Sequence, residues 1–206
     1  MPQYNKNPPL LESNVLADPL AQLVIWLDDA ATAGLIEPTA MTLATIGENG
    51  APSARVVLFK GFRDGGLTFF TNYESRKGRE LERNPHVAAV FWWDKLEREV
   101  RVEGSVAKLP RELTEKYFQL RPRESQLGAL SSHQSQVVAT RELLDGRLEA
   151  NQRRYEGLPI PCPPNWGGYR IEPSLIEFWQ GRRGRMHDRL QYRRDGSGWI
   201  IERLEP

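Results

Sequence analysis

The feature that most limits the fold of this chain is a series of short strand-like segments joined by tight turns. Asn49-Gly50 is a strong signal for a two-residue hairpin, and Asp64-Gly65-Gly66 supplies a second turn. Strands this short and this closely linked favour an antiparallel, closed or partly closed barrel over a parallel sheet. The pattern predicts strands at residues 41–46, 53–62, 67–71, 87–93 and 97–108.

Helices are predicted on both sides of this series. Asp18 and Pro19 are typical of a helix start, and apolar residues at helical spacing continue to a stop near Gly34. Residues 1–17 lack periodicity and are predicted to form a flexible arm, which leaves one domain over residues 18–206. The fold class expected is α+β, mainly β with flanking helices. Further helices are predicted at 75–82, 110–121 and 140–155, and further strands at 169–178 and 190–204.

The charge balance argues against general nucleic-acid binding. The chain has 206 residues with 28 basic and 27 acidic side chains, so any preference for anions has to be local. Cys162 is the only cysteine, which excludes an intramolecular disulfide and fits a reducing compartment. No apolar run approaches the roughly 20 residues that cross a bilayer. These two observations predict a cytoplasmic protein. His86 and His133 lack partners at metal-ligand spacing, so we expect no metal ion.

Ser75 is a natural N-cap, and it places Arg76 and Lys77 in the first turn of a predicted helix. The helix dipole disfavours cations at this end by roughly 0.3–1 kcal/mol each. A phosphate bound to the same terminus would remove the conflict. The alternative is that both cations point into water, and the dipeptide alone favours that alternative.

The C-terminal part holds a cluster of cations beside aromatic residues. Trp179 is followed by Arg185, His187 and Arg189. Burying this much positive charge without a partner would cost several kcal/mol per ion. The segment is therefore either a solvated basic hairpin or one wall of a site that an anionic, aromatic ligand completes. Arg182 and Arg183 have no assigned partner and are expected to be solvated.

Two other groups carry little information by themselves. Arg55 and Lys60 fall on opposite faces of one predicted strand unless a bulge intervenes. Tyr117, Arg121 and Ser125 recur every four residues, but Pro122 interrupts a continuous helix. A helix, a turn and a second short helix are expected there.

Taken together, these segments resemble the pyridoxine (pyridoxamine) 5′-phosphate oxidase family from about residue 18 to the C-terminus. The strongest elements are Glu177-Phe178-Trp179-Gln180 and Arg185-Met186-His187-Asp188-Arg189. Further matches in the same order are Arg55-Val56-Val57-Leu58-Phe59-Lys60, Phe70-Thr71-Asn72, Ser75-Arg76-Lys77, Arg121-Pro122-Arg123-Glu124-Ser125-Gln126, Ser132-His133-Gln134-Ser135 and Trp166-Gly167-Gly168.

The resemblance implies an FMN-binding split β-barrel and a homodimer with two FMN sites at the subunit interface. By analogy, substrate would be held by Lys60, Tyr117, Arg121, Ser125, Arg185 and His187, of which Arg185 and His187 are the candidate catalytic residues. FMN would be held by Arg55, Val56, Val57, Leu58, Phe59, Lys60, Phe70, Thr71, Arg76, Lys77, Glu99, Gln134, Ser135, Trp179 and Arg189.

The reaction implied by the resemblance belongs to vitamin B6 biosynthesis or salvage. A hydride would pass from C4′ of pyridoxine or pyridoxamine 5′-phosphate to flavin N5. Molecular oxygen would then reoxidise the flavin, giving hydrogen peroxide and pyridoxal 5′-phosphate. The flavin carries the chemistry, and the protein supplies position and electrostatics. Arg185 and His187 would orient the substrate and influence its ionisation rather than act as an obligatory base.

Glu99 departs from the family pattern, because the family usually has glutamine there. A carboxylate accepts hydrogen bonds only and opposes negative charge on reduced flavin. We expect weaker FMN binding, a lower flavin potential or a protonated Glu99. A second departure is at the N-terminus, where Met1, Pro2 and Gln3 stand in place of the basic residues that often cover the substrate.

Three alternative functions remain open on the sequence. The first is a same-fold oxidase of another substrate, such as the phenazine-biosynthesis flavoproteins, which tend to lose the phosphate-binding set. The second is a non-catalytic module that binds flavin or pyridoxal phosphate. The third is RNA binding through the arginine cluster, which the net charge of +1 disfavours.

Overall fold

The structure, a computed structural model, describes Tyr4 and residues 6–206. Its centre is a nine-stranded antiparallel sheet in which the order β2-β1-β5-β6-β7-β4-β3 forms an open path, and β8 and β9 continue from β7. The strands are β1 Ala40–Ile46, β2 Pro52–Leu58, β3 Phe62–Arg63, β4 Gly66–Asn72, β5 His86–Trp93, β6 Arg98–Lys108, β7 Trp166–Gln180, β8 Asp188–Asp195 and β9 Gly198–Arg203.

This architecture confirms the predicted class of a mainly antiparallel β fold with flanking helices. Two predicted strands are each divided in two. The segment 53–62 covers the end of β2 at Leu58 and the start of β3 at Phe62, and between them Gly61 has a φ of 98°, in the left-handed region that favours glycine. The segment 190–204 is a hairpin, since Gly196 has a φ of 56° in the turn between β8 and β9. The single strand predicted over 190–204 was therefore wrong.

Five α-helices flank the sheet among the described residues: α1 Pro19–Thr32, α2 Arg76–Arg83, α3 Arg111–Leu120, α4 Arg123–Ser131 and α5 Arg141–Arg154. Asp18 caps α1, because its carboxylate accepts the Leu20 amide at 3.0 Å. Ser75 caps α2 through the Gly78 amide, as predicted. Pro122 separates α3 from α4. None of the helices in the described ranges is long and apolar enough to cross a membrane.

Two apolar cores hold these layers together. The larger one lies between the sheet and α1, where Trp26 contacts Trp93 and Phe178 edge to face. The smaller one lies under α3 and α4 and contains Phe118 and Trp166. Burial of large aromatic side chains of this kind contributes much of the stability of a domain.

The segment predicted to be a flexible arm, residues 1–17, is described at Tyr4 and from residue 6 onward. This part lies against the domain. The Leu10 amide donates to Asp188 at 3.0 Å, and the Tyr192 hydroxyl donates to the Leu16 carbonyl at 2.7 Å. The Tyr4 ring lies 5.7 Å from the ring of Trp179. These contacts bring the N-terminal segment to the end of β7.

Gly78 shows how closely α2 approaches the preceding turn. A Cβ at this position would lie 2.0 Å from the Tyr73 carbonyl oxygen, whereas a Cβ at Gly146 in α5 would meet nothing within 4 Å. We expect Gly78→Ala to lower the free energy of unfolding by roughly 1–3 kcal/mol through overpacking. Gly146→Ala is the control, because it makes the same substitution in α5. It is expected to raise the free energy of unfolding by about 0.4–1 kcal/mol. Urea denaturation measures both, and equal effects would contradict the close approach.

Candidate functional site

A cavity of about 450 Å³ lies between the sheet and helices α2, α3 and α4. This volume is in the range of small-molecule sites. Its lining holds three cations and no carboxylate among the described residues: Val56, Val57, Leu58, Lys60, Phe70, Thr71, Asn72, Lys77, Tyr117, Arg121, Ser125, Gly128, Ala129, Ser132, Gln134 and Trp166. A cavity of this composition suits an anionic ligand.

Lys77 is the most buried cation of the cavity. It lies in the first turn of α2, and its side chain points into the protein rather than into water. Its Nζ donates to Thr71 Oγ1 at 3.0 Å and to Gln134 Oε1 at 2.9 Å. Burial, with a smaller effect of the nearby Arg55 charge, lowers the pKa of Lys77 to about 8. The structure thus brings together three residues predicted to hold FMN.

Arg121 provides a second, partly buried cation of the cavity lining. Its Nη1 atom is buried and has no hydrogen-bond partner in the described part of the chain. Burial lowers the pKa of Arg121. Tyr117 and Ser125 line the same cavity, so the predicted phosphate-binding set meets in spite of the break at Pro122.

Aromatic rings form the cavity wall beside Arg121. Phe70 stacks on Tyr117 with ring centroids 3.9 Å apart, and on Trp166 at 5.4 Å. The Arg121 guanidinium carbon lies 4.6 Å from the centroid of a Trp166 ring. These rings come from β4, α3 and the start of β7. The wall therefore combines apolar surface with a positive charge.

Arg55 and Arg76, both predicted to hold FMN, converge on a buried carboxylate outside the cavity lining. Glu80 accepts from Arg55 at 3.1 Å and from Arg76 at 2.9 Å. Burial alone would raise the pKa of Glu80, but hydrogen bonds from Thr45, Ser53 and both arginines outweigh it and lower the pKa to about 2. Sequence reasoning missed Glu80, although its i,i+4 spacing from Arg76 was a signal.

A second group of predicted residues lies at the far end of β7. Glu99, Trp179 and Arg189 are direct neighbours across β6, β7 and β8. With His187, whose ring lies 4.6 Å from the Trp179 ring, we call them the strand-end cluster. None of its members lines the cavity, and Trp166 and Trp179 stand at opposite ends of β7.

The charges of the strand-end cluster are paired. Arg101 donates to Glu99 at 2.6 Å and lies 3.6 Å from Glu177. Arg189 binds Glu177 through two hydrogen bonds of 2.7 and 3.1 Å. Arg101 therefore offsets the charge of Glu99, which departs from the family pattern. The roles of Arg101 and Glu177 were not predicted, because they follow from strand register.

His187 is held in a defined orientation. Its Nδ1 accepts the Arg182 amide at 3.1 Å, so a neutral ring carries its proton on Nε2. Burial and the neighbouring Arg185 charge lower the pKa of His187. Arg185 itself has a φ of 64°, a backbone conformation uncommon for a residue with a side chain and frequent at functional sites.

Other predictions fall outside these groups. Arg182 binds the Asn7 carbonyl at 2.7 Å and lies 3.5 Å from Asp188, so the expectation that it is solvated was wrong. Phe59 is buried in the larger core against Phe91. Ser135 lies in an exposed loop beside Gln134 with a φ of 69°.

Comparison with known proteins identifies the family of this chain. A family model described as pyridoxamine 5′-phosphate oxidase matches residues 27–153. A second model, the pyridoxine 5′-phosphate oxidase C-terminal dimerisation region, matches residues 166–206. Proteins named pyridoxine/pyridoxamine 5′-phosphate oxidase from Acaryochloris marina and Rubrobacter xylanophilus are 55% and 53% identical to this chain, over 96% of it and over 90% and 91% of their own lengths.

Solved structures show the same fold. PhzG from Burkholderia lata 383, in complex with tetrahydrophenazine-1-carboxylic acid, has a TM-score of 0.90 at 32% identity, over 96% of this chain and 98% of that one. A pyridoxamine 5′-phosphate oxidase-related, FMN-binding protein from Nostoc punctiforme has a TM-score of 0.76 at 19% identity, over 93% and 98%. Fold and neighbours place the chain in the class of split-barrel proteins. Within that class, it belongs to the pyridoxine/pyridoxamine 5′-phosphate oxidase family, and the dimerisation region indicates a homodimer.

The low pKa of Glu80 predicts how stability depends on pH. Its folded pKa of about 2 lies below the ordinary 4.5, so the stabilisation is present above pH 4.5 and lost as pH falls towards 2. This group contributes up to about 3 kcal/mol. We expect Glu80→Gln to unfold more easily at neutral pH and to lose less stability on acidification, as measured by urea denaturation at several pH values.

Glu82→Gln is the matched control, because Glu82 is on the same helix but its side chain is 65% exposed. It is expected to keep the stability and the acid dependence of the unmodified protein. Identical acid dependence in Glu80→Gln and the unmodified protein would contradict the role assigned to Glu80.

Proposed function

We propose that this protein uses FMN and molecular oxygen to oxidise pyridoxine and pyridoxamine 5′-phosphate to pyridoxal 5′-phosphate, with release of hydrogen peroxide. The observation that carries the proposal is the cavity of about 450 Å³ that presents Lys60, Lys77 and Arg121 without a lining carboxylate among the described residues. Both ligands are phosphorylated aromatic molecules, and the cavity combines cations with stacked rings. The names of the relatives that cover nearly the whole chain point to the same reaction.

The residues around Lys77 fit the FMN phosphate. An ammonium group buried at 8% exposure is costly unless an anion pairs with it, and its pKa of about 8 reflects that cost. Thr71, Lys77 and Gln134 would hold FMN there, with Val56 to Leu58 and Phe70 along the ring system. When bound, FMN supplies the two-electron acceptor that the oxidation requires.

The residues around Arg121 fit the substrate phosphate. The buried Nη1 atom without a partner is a donor that an anionic oxygen satisfies. Tyr117 and Ser125 supply hydroxyl groups in the same wall, and Lys60 supplies a further cation. These four residues would bind and orient the substrate, and the closed wall of Phe70 and Trp166 would exclude water.

A complete site would take the strand-end cluster from the second copy of the homodimer. Trp166 and Trp179 are 13 residues apart on β7, roughly 40 Å in an extended strand. The cavity and the strand-end cluster of one copy are therefore too far apart to form one site. In an isologous dimer, the cavity of each copy would meet the strand-end cluster of the other, which gives two equivalent sites. Arg185 and His187 of the partner would then orient the substrate ring, with His187 Nε2–H as a donor.

Both substrates would undergo a two-electron oxidation. The alcohol loses one hydrogen from its carbon and one from its oxygen to become the aldehyde, and O2 takes up both hydrogens to become hydrogen peroxide. With the amine, the carbon–nitrogen bond is oxidised first, and water then releases ammonia. Arg185 and His187 bind and orient, and neither needs to remove a proton from carbon. The paired charges of Glu99 and Arg101 leave a near-neutral surface at Trp179.

Aerobic turnover with each substrate tests this function. The FMN-loaded protein is expected to form equal amounts of hydrogen peroxide and pyridoxal 5′-phosphate. Arg121→Leu removes a charged hydrogen bond to phosphate and is expected to raise KM roughly 10–100-fold. Lys77→Met is expected to weaken FMN binding by a similar factor, measured by fluorescence titration.

Lys116→Met is a matched control, since Lys116 lies on the same helix as Tyr117 with a side chain 68% exposed. It is expected to leave KM and FMN affinity unchanged. Failure of the unmodified protein to form either product would contradict the proposed reaction, and turnover of a tricyclic phenazine precursor instead would favour the activity suggested by the likeness to PhzG.

A further inference from the structure

The Arg121 guanidinium is a partly buried cation with one fully buried nitrogen atom. It follows α3 directly, and Pro122 holds its backbone in an extended conformation. No ion pair is seen for Arg121 within the described residues, and its Nη1 atom is buried without a hydrogen bond. Something other than a carboxylate therefore has to hold this charge in place.

Trp166 is the side chain that faces this guanidinium most closely. The distance from the guanidinium carbon to a Trp166 ring centroid is 4.6 Å, against 5.6 Å to the Phe118 ring. A cation over an aromatic face is stabilised most strongly by tryptophan, and more so when the pair is desolvated. Trp166 is 6% exposed and the Nη1 atom of Arg121 is buried, so the pair is largely shielded from solvent on this side.

Two sets of contacts hold Trp166 in place. Its ring stacks on Phe70 at 5.4 Å, with an interplanar angle of 12°. Its backbone and the connector before it are held by Arg111, which donates to the carbonyls of Cys162, Pro163 and Trp166 at 2.6, 2.9 and 3.1 Å. Arg111 does not line the cavity.

We propose that Trp166 is a positioning residue that presents the Arg121 guanidinium to a phosphate group in the cavity, and that Arg111 acts through Trp166. The inference rests on the proposed function in taking the ligand as a phosphorylated pyridine. Trp166 acts by restricting the guanidinium to the orientation in which Nη1 faces the ligand. Substitution of Trp166 is therefore expected to weaken phosphate binding even though Arg121 remains.

The test is a double-mutant cycle on binding of pyridoxal 5′-phosphate to the FMN-loaded protein, measured by equilibrium dialysis. Trp166→Leu is expected to weaken binding roughly ten-fold, and Trp166→Phe to retain most of it, because a ring face remains. In the Arg121→Leu background, Trp166→Leu is expected to add less than about two-fold. Full additivity of the two substitutions would overturn the inference.

Pyridoxal, which lacks the phosphate, separates positioning from damage to the cavity. Trp166→Leu is expected to weaken inhibition of turnover by pyridoxal by a clearly smaller factor than binding of its phosphate, and equal losses for pyridoxal and its phosphate would overturn the inference. Absence of any pyridoxal 5′-phosphate binding by the unmodified protein would overturn the proposed function together with it. Additive effects on a measurable affinity would leave the proposed function standing.

A second pair of variants keeps the test decisive if Trp166→Leu fails to fold. Arg111→Met loosens the connector and leaves Trp166 and Arg121 in place. Its matched control is Arg123→Met, because Arg123 also donates to two loop carbonyls, of Tyr155 and Leu158, but lies outside the cavity lining. Arg111→Met is expected to weaken pyridoxal 5′-phosphate binding several-fold more than Arg123→Met, and equal effects would contradict the inference.

Discussion

The pairing of β7 with three other strands is the constraint on which the rest of the structure depends. This 15-residue strand is bonded to β4 near its start, to β6 along most of its length and to β8 near its end. Trp166 and Trp179 consequently stand at opposite ends of one rigid element. Strand pairing of this kind fixes which side chains lie side by side, since a shift of one residue moves every side chain to the other face.

Charge pairing decides which cations are available to a ligand. Glu80 binds Arg55 and Arg76, and the carboxylates of Glu99 and Glu177 are bound by Arg101 and Arg189. The cavity lining has no such acid among the described residues, so its cations remain for a ligand. A chain with a net charge of only +1 thereby concentrates positive potential at one place.

Local sequence signals predicted the elements well and their ends less well. The caps at Asp18 and Ser75 and the break at Pro122 depend on neighbouring residues, so the sequence was sufficient for them. Glycines in the left-handed region at 61 and 196 divided two strands that looked continuous. The roles of Glu80 and Arg101 come from tertiary contacts and register, which spacing along the chain does not reveal. The resemblance named candidate residues in both groups, but only the fold shows that the two groups lie at separate ends of β7.

The central claim, that each site is shared between two copies, is tested most directly with hybrid dimers. One chain carries Lys77→Met and Arg121→Leu in the cavity, and the other carries His187→Leu in the strand-end cluster and Arg185→Leu beside it. Dimers of either chain alone are expected to be inactive. Purified hybrids carry one undamaged shared site and are expected to show roughly half of the unmodified activity. Hybrids as inactive as the parents would mean that each site is built from a single chain, and would contradict the account.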